Sequence, residues 1–388
     1  MLLTVLYKIK RVLAKKEQVR SPKKILFIKL LGMGSIILTV PALEAVRKKY
    51  PECSFFFLTF KENHAVLSLL NIVPEANIYT VRKDSLIHLF ADVITCLFRL
   101  IKEQIDIVID FEFFSRFTAI LSFFIRSKWR IGFYGFHTEG LKRGAFIDSL
   151  INYNHTLHTS RAFFTLLKPL GIPQEEYSSR LPQIPPSDGF KEKFIAKVQE
   201  VNPICNPMLI RKWVVMNPNS SDLIELRRWP AAHFARLTEL LLAREKSIGV
   251  VFIGSASDQS YVGSICETIA SFENAPRIIN LSGMTNISEL IDLFHLSSLL
   301  ITNDSGPAHL SSLANIPSIV LFGPETPALY SPIGEQSIPV YLGLDCQPCI
   351  TVYNGKHSFC HDNVCLQRIT PKHVFDLAID ILTKTDER

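Results

Sequence analysis

Twice along the chain, short runs of apolar and β-branched residues alternate with helix-patterned segments, and this alternation limits the possible fold more than any other feature. From Lys24 to about Ile172 the order is "KILFIKL", the helix "ILTVPALEAVRKKY", "SFFFLTF", a helix through "HAVLSLL", and "IDIVIDFEF". Strands that short, separated by helices, make βαβ units and a parallel sheet covered on both faces. After "KPLGIP" comes the polar, proline-rich stretch "EEYSSRLPQIPPSDGF", which reads as a linker crossed by few contacts. The pattern then restarts with "KWVVMNPNSS", "PAAHFARLTELLLAREK", "IGVVFIGS", "NISELIDLFHLSSLL", "LLITNDSG", "PAHLSSLA" and "SIVLFGP". The expected fold class is α/β, with two Rossmann-like doubly wound domains facing a central cleft, over residues 24–185 and 186–388. The 388 residues are enough for two cores, and the ligand-binding ends of both sheets would face one shared space.

Residues 1–23 mix Leu, Val and Tyr with Lys and Arg. They read as a basic amphipathic lead-in that either rests on anionic lipid or simply enters the first domain. They lack the apolar core and cleavage site of a secretory signal, so the expected compartment is the cytoplasm, with peripheral contact on the inner face of its membrane. No stretch of about 20 uninterrupted apolar residues exists. "FTAILSFFIRSKWRIGFYGF", broken by Arg126, Lys128 and Arg130, reads as a buried or interfacial helix. A net charge of +6 suits an anionic small molecule or lipid as well as nucleic acid, and no nucleic-acid partner is expected.

The densest chemistry is in the second half. "LLITNDSGPAHLSSLA" places Asp304, Ser305 and Gly306 after a strand and Pro307 at a helix start, with His309 one turn in. Asp or Ser before such a proline is a good cap, and the free amides of the helix end attract phosphate. "NPNSSDLIELRRWP" offers Ser220 and Ser221, then Arg227 and Arg228. A guanidinium cannot lose its charge and matches phosphate oxygens, so it can neutralise a departing diphosphate without a metal. The bland alternatives are an unliganded cap and a solvated basic loop.

These motifs, with "LGMGSIILTVPALEAVRKKYP", "FIGSASDQ" and "CQPC", occur in the order found in bacterial heptosyltransferases of glycosyltransferase family 9, which the chain resembles from about Lys24 to Ile381. The resemblance implies a GT-B architecture, an ADP-heptose donor, inversion without a catalytic metal, and an acceptor on lipopolysaccharide core, another lipid-linked glycan or protein. It places Asp304, Ser305, Gly306 and His309 on the donor loop, Ser220 and Ser221 on phosphate, Arg227 where a cation holds the diphosphate, and Asp258 near the nucleoside. Where many members carry an Asp general base, this chain has "GMGSI", with Gly34 and Ser35. A serine hydroxyl is too weak a base at neutral pH. Asp110, at the end of "IDIVID", is the best replacement, against a capping role or an ion pair with Arg116. A metal-binding reading of "DFE" (Asp110 and Glu112) is weaker. A non-catalytic nucleotide- or glycan-binding protein of the same fold is the alternative function. A nicotinamide dehydrogenase is disfavoured because "GMGSII" lacks the third glycine of its fingerprint.

Four of eight cysteines, Cys346, Cys349, Cys360 and Cys365, fall in "CQPCITVYNGKHSFCHDNVC". A structural Zn or Fe site is one reading of that spacing, with His357 and His361 as substitute ligands; disulfides and free thiols are the others. Cys53, Cys96, Cys205 and Cys266 read as packing residues.

Overall fold

The computed structural model describes residues 19, 21–134, 146–220, 225–269 and 275–386. The basic lead-in, apart from a few residues before the first strand, lies outside them, as does Ser221.

The chain divides into two compact units between Arg180 and Leu181. That is five residues before the expected boundary, because the second half of the presumed linker is fastened to the second unit. Ile184 N–H donates to Leu313 O at 2.8 Å, and Ser187 donates from its N–H and its Oγ to the two oxygens of Asp292 at 2.7 and 2.6 Å.

In the first unit the strands are β1 (Lys24–Ile28), β2 (Ser54–Phe60), β3 (Ile78–Val81), β4 (Ile107–Asp110), β5 (Trp129–Tyr134) and β6 (Ser149–Asn152). They pair in parallel in the order β3-β2-β1-β4-β5-β6. The second unit repeats this order: β7 (Lys212–Asn217), β8 (Ile248–Phe252), β9 (Ile278–Asn280), β10 (Ser297–Asn303), β11 (Ser318–Leu321) and β12 (Ser337–Val340) run β9-β8-β7-β10-β11-β12. Each sheet therefore reverses its winding between its first and fourth strands, β1/β4 and β7/β10. Those are the points where loops from opposite faces part and a ligand crevice opens.

The central strands are buried on both faces, as their unbroken apolar sequences require. The stretch from Phe117 proves to be two elements and not one helix. The helix Arg116–Phe124 stops before Arg126, whose φ is +60°, and the β-favouring "WRIGFY" then forms β5.

At the first switch point, the glycine turn after β1 depends on one buried ion pair. Gly32 takes φ +85°, a conformation that favours glycine, before the helix Met33–Ile37, which contains buried Gly34 and half-buried Ser35. Glu112 Oε1 accepts from Lys29 Nζ at 2.8 Å, Leu30 N–H at 2.7 Å and Leu31 N–H at 3.0 Å. Burial works to raise the Glu112 carboxyl, but the Lys29 charge and these donors outweigh it and hold it below its usual range. Lys29 is only 3% exposed. Truncating its partner, Glu112→Ala, is expected to cost about 3–5 kcal/mol by stranding a buried ammonium, measured by urea unfolding of the full chain.

Candidate active site

At the second switch point, asparagines tie three strand ends together. Asn217, the last residue of β7, donates from Nδ2 to Thr302 Oγ1 and to Ser305 Oγ, both at 2.9 Å. Asn219 donates to Asn217 Oδ1 at 3.1 Å and to Ile253 O, just past β8, at 2.9 Å. Asn303, the last residue of β10, donates to Pro218 O at 2.8 Å and accepts from Trp229 N–H at 3.0 Å. The fully buried Trp229 ring donates from Nε1 to Ile369 O at 2.8 Å. These bonds pair the side-chain amide nitrogens of Asn217, Asn219 and Asn303 and fix the segment that carries Arg227 against the loop that carries Asp304.

On this frame the structure brings Arg227, Asp304 and Ser305 together and adds two residues that the sequence reading missed. Arg227, at the end of the turn Glu225–Arg227, pairs with Glu325 through Nη2 and lies 3.9 Å from Asp304 Oδ2 through Nη1. Glu325 also meets Lys356 at 3.2 Å, and the Lys356 ammonium stands 4.7 Å from the centre of the Tyr330 ring. Two cations and two carboxylates thus share one pocket, in which Glu325 is 2% exposed and the Lys356 side chain remains 40% exposed. Burial disfavours the Arg227 cation, yet Asp304 and Glu325 together hold its pKa above the ordinary value. Burial pushes the Asp304 carboxyl up to about 7; Arg227 opposes that shift and the Glu325 charge adds to it. Arg227 Nε has no hydrogen-bond partner. The only advance sign of Glu325 was an acid directly after the strand "SIVLFGP".

The other expected site residues divide. His309 is buried on the helix Gly306–Ser311, and Ser220 is buried just past β7. Ser305 occupies the cap position but makes no capping bond; its hydroxyl is taken by Asn217, which corrects the capping expectation. Asp258 is a local cap, accepting from Ser255 N–H at 2.8 Å and Ser255 Oγ at 2.6 Å. Arg228 leaves the pocket for the Tyr261 ring, 5.0 Å from its centre.

Asp110 ends β4 as expected but has no exposed surface, and its Oδ1 accepts from Glu112 N–H at 2.9 Å. In this enclosed position Asp110 supports the turn that carries Glu112, and it would have to be uncovered before it could reach an acceptor proton.

The four cysteines of the cluster lie within electrostatic reach of one another, Cys349, Cys346 and Cys360 each adding to the rise of the Cys365 thiol. Among the described residues, no group of three or more His, Cys, Asp or Glu side chains is placed to hold a metal ion. The thiols are engaged locally: Cys360 Sγ donates to Asp362 O at 2.9 Å, and Cys349 Sγ accepts from Ser358 Oγ at 3.4 Å. Cys365 is buried against the core of the second unit, and burial is the main cause that pushes its thiol up to about 11. All eight cysteines are unbridged. A cavity of about 480 Å³ opens between this segment and the Arg227 turn, lined by Glu225, Leu226, Lys356, His357 and His361 among others.

Residues 94–356 match the model of glycosyltransferase family 9 (heptosyltransferase), about two thirds of the sequence. The chain belongs to glycosyltransferase family 9. It is 34% identical over 116 residues to a lipooligosaccharide heptosyltransferase 2 of Haemophilus influenzae, a match that covers 30% of this chain and 33% of that protein. A lipopolysaccharide core heptosyltransferase, OpsX, of the same organism is 22% identical over 80% of this chain and 82% of its own length. The alignment to the first of these relatives spans only about a third of its length. Among solved structures, the Escherichia coli ADP-heptose lps heptosyltransferase II matches with a TM-score of 0.72 at 20% identity, over 94% of this chain and 99% of that one. That likeness establishes the GT-B fold of this family 9 chain.

The raised Asp304 carboxyl gives the family 9 pocket a pH signature. Its folded pKa lies above the ordinary 3.8, so its contribution to stability is complete below about pH 4 and is lost as pH rises toward 7. Asp304→Asn, which cannot ionise, should therefore gain stability relative to the wild type between pH 4 and 7 and hold that gain at higher pH, read from denaturant melts across that range.

Proposed function

We propose that the protein is an inverting heptosyltransferase that takes heptose from ADP-heptose, without a catalytic metal, and delivers it to a lipopolysaccharide-core acceptor. The observation that carries this reading is the Arg227–Asp304–Glu325–Lys356 constellation at the carboxyl ends of β7, β10 and β11, where a nucleoside diphosphate would exchange for carboxylate contacts already made to Arg227 and Lys356. The family membership and the ADP-heptose named for the E. coli structural neighbour support the choice of sugar nucleotide.

In this mechanism an acceptor hydroxyl oxygen bonds to the anomeric carbon from the face opposite the diphosphate and releases its proton to solvent water, while the carbon–oxygen bond to the diphosphate breaks and its electron pair stays on the departing phosphate. Arg227 and Lys356 would meet the charge that develops there. Such fixed charges in a water-poor pocket are the largest contribution to many enzymatic accelerations. Ser220 and Ser305 would add neutral contacts, and His309 a hydrogen bond to the same diphosphate or to the ribose.

Arg227→Ala is expected to lower kcat/KM by about 10²–10³, and Arg227→Lys to recover part of that loss, in a transfer assay with ADP-heptose. ADP should raise the melting temperature more than UDP or GDP. Because Asp110 is enclosed, Asp110→Asn should leave turnover within about threefold of wild type; a loss of roughly 10²–10⁴ with an unchanged melting temperature would return the base role to that residue.

Ser35, in place of a carboxylate, favours one second reading, a nucleotide-binding protein without transferase activity. Stabilisation by ADP with no transfer from ADP-heptose to any core acceptor would select it.

A further inference from the structure

The helix Leu86–Glu103 is apolar on the side that it buries and on the side that it exposes. Cys96 and Leu100 enter the core of the first unit. On the opposite side Leu86, Ile87, Phe90, Ile94 and Phe98 are 73, 79, 63, 52 and 66% exposed. The spacing 86, 90, 94, 98 keeps these residues on one stripe along the helix. The helix Arg116–Phe124 repeats the arrangement: Leu121 faces inward, while Phe117, Ile120 and Phe124 are 41, 45 and 49% exposed. The inward residues of both helices share one core cluster on one face of the sheet, so their outward stripes look the same way. Exposed apolar side chains this concentrated on a folded domain mark an interaction surface.

We propose that the outward faces of these two helices form a docking surface for an anionic lipid bilayer. The charges around the stripes decide the occupant. Arg99 and Lys102 continue the exposed side of the first helix at its end, and Arg116 and Arg126 flank the second. The acids nearby are engaged: Asp92 takes two bonds from Arg82 at 2.8 Å, Asp84 faces His88 at 3.1 Å, and Glu103 holds Lys24 at 2.7 Å. Aromatic and aliphatic side chains rimmed by cations suit the boundary between headgroups and acyl chains, where apolar burial and attraction to anionic lipid act together. No helix among the described residues is long and apolar enough to cross a membrane, so the contact is a surface one. It uses no residue of the diphosphate pocket and stands whether or not the proposed donor is right.

The test is co-sedimentation of the full chain with vesicles of phosphatidylethanolamine containing phosphatidylglycerol, with phosphatidylcholine vesicles as the control. The wild type is expected to bind the anionic vesicles. Phe90→Ser with Phe98→Ser should lower partitioning about tenfold or more, with an unchanged melting temperature, since both rings are exposed. Arg99→Glu with Lys102→Glu should weaken binding and blunt its salt dependence. A chain lacking residues 1–18 should still bind and should still respond to the Phe substitutions. Absence of wild-type binding, or binding that the deletion abolishes and the Phe pair leaves intact, would overturn the proposal. So would a wild-type dimer that the Phe pair converts to monomer without any change at vesicles, which would assign the face to a second copy of the chain.

Discussion

Parallel pairing is the constraint from which the rest of this molecule follows. When every strand of a sheet runs the same way, every loop leaving a carboxyl end emerges at the same edge, and reversal of the winding order parts those loops at one place. In the carboxy-terminal unit that place lies between β7 and β10. The asparagines that close it bind strand ends which the backbone ladder leaves unsatisfied. In the amino-terminal unit the same position is held by the Lys29–Glu112 pair, and the two carboxylates of "DFE" serve the scaffold.

The pocket around Arg227 sets charge against charge. One nearly enclosed guanidinium and one partly exposed ammonium face two buried carboxyls. Such a pocket is costly to assemble, because each charge gives up water for a partner that returns only part of the loss. An anion that replaced a carboxylate contact would meet a guanidinium already desolvated and oriented, so little reorganisation would accompany the arrival of charge.

Much of this was legible in the amino-acid order. The central strands declare themselves because burial on both faces demands unbroken runs such as "KILFI" and "KWVVMN". The short edge strands β3, β6, β9 and β12 do not, since three or four residues with mixed burial leave little periodicity to read. The donor loop around Asp304 was visible because its polar residues exceed what a helix start requires. Glu325 and Lys356 were not, for they meet Arg227 and each other only through tertiary packing, Arg227 and Glu325 being 98 positions apart. Position at a strand end was correctly inferred for Asp110, but strand-end position says nothing about how deeply a side chain is enclosed. The cysteine spacing correctly gathers four thiols in one region, where Cys360 bonds a carbonyl, Cys349 a hydroxyl, and Cys365 packs into the core.

The Trp229 indole, anchored to the carbonyl of Ile369, has one more consequence. Ile369 lies two residues before the helix Pro371–Asp386, which packs into the core of its unit through Val374, Ala378 and Leu382. The chain's tail is thus a strut behind the arginine turn, 140 residues away in sequence yet one hydrogen bond from the tryptophan beside it. Fraying of that last helix would loosen the turn that carries Arg227 without altering Arg227 itself, so trimming the carboxyl terminus should act on the pocket from a distance.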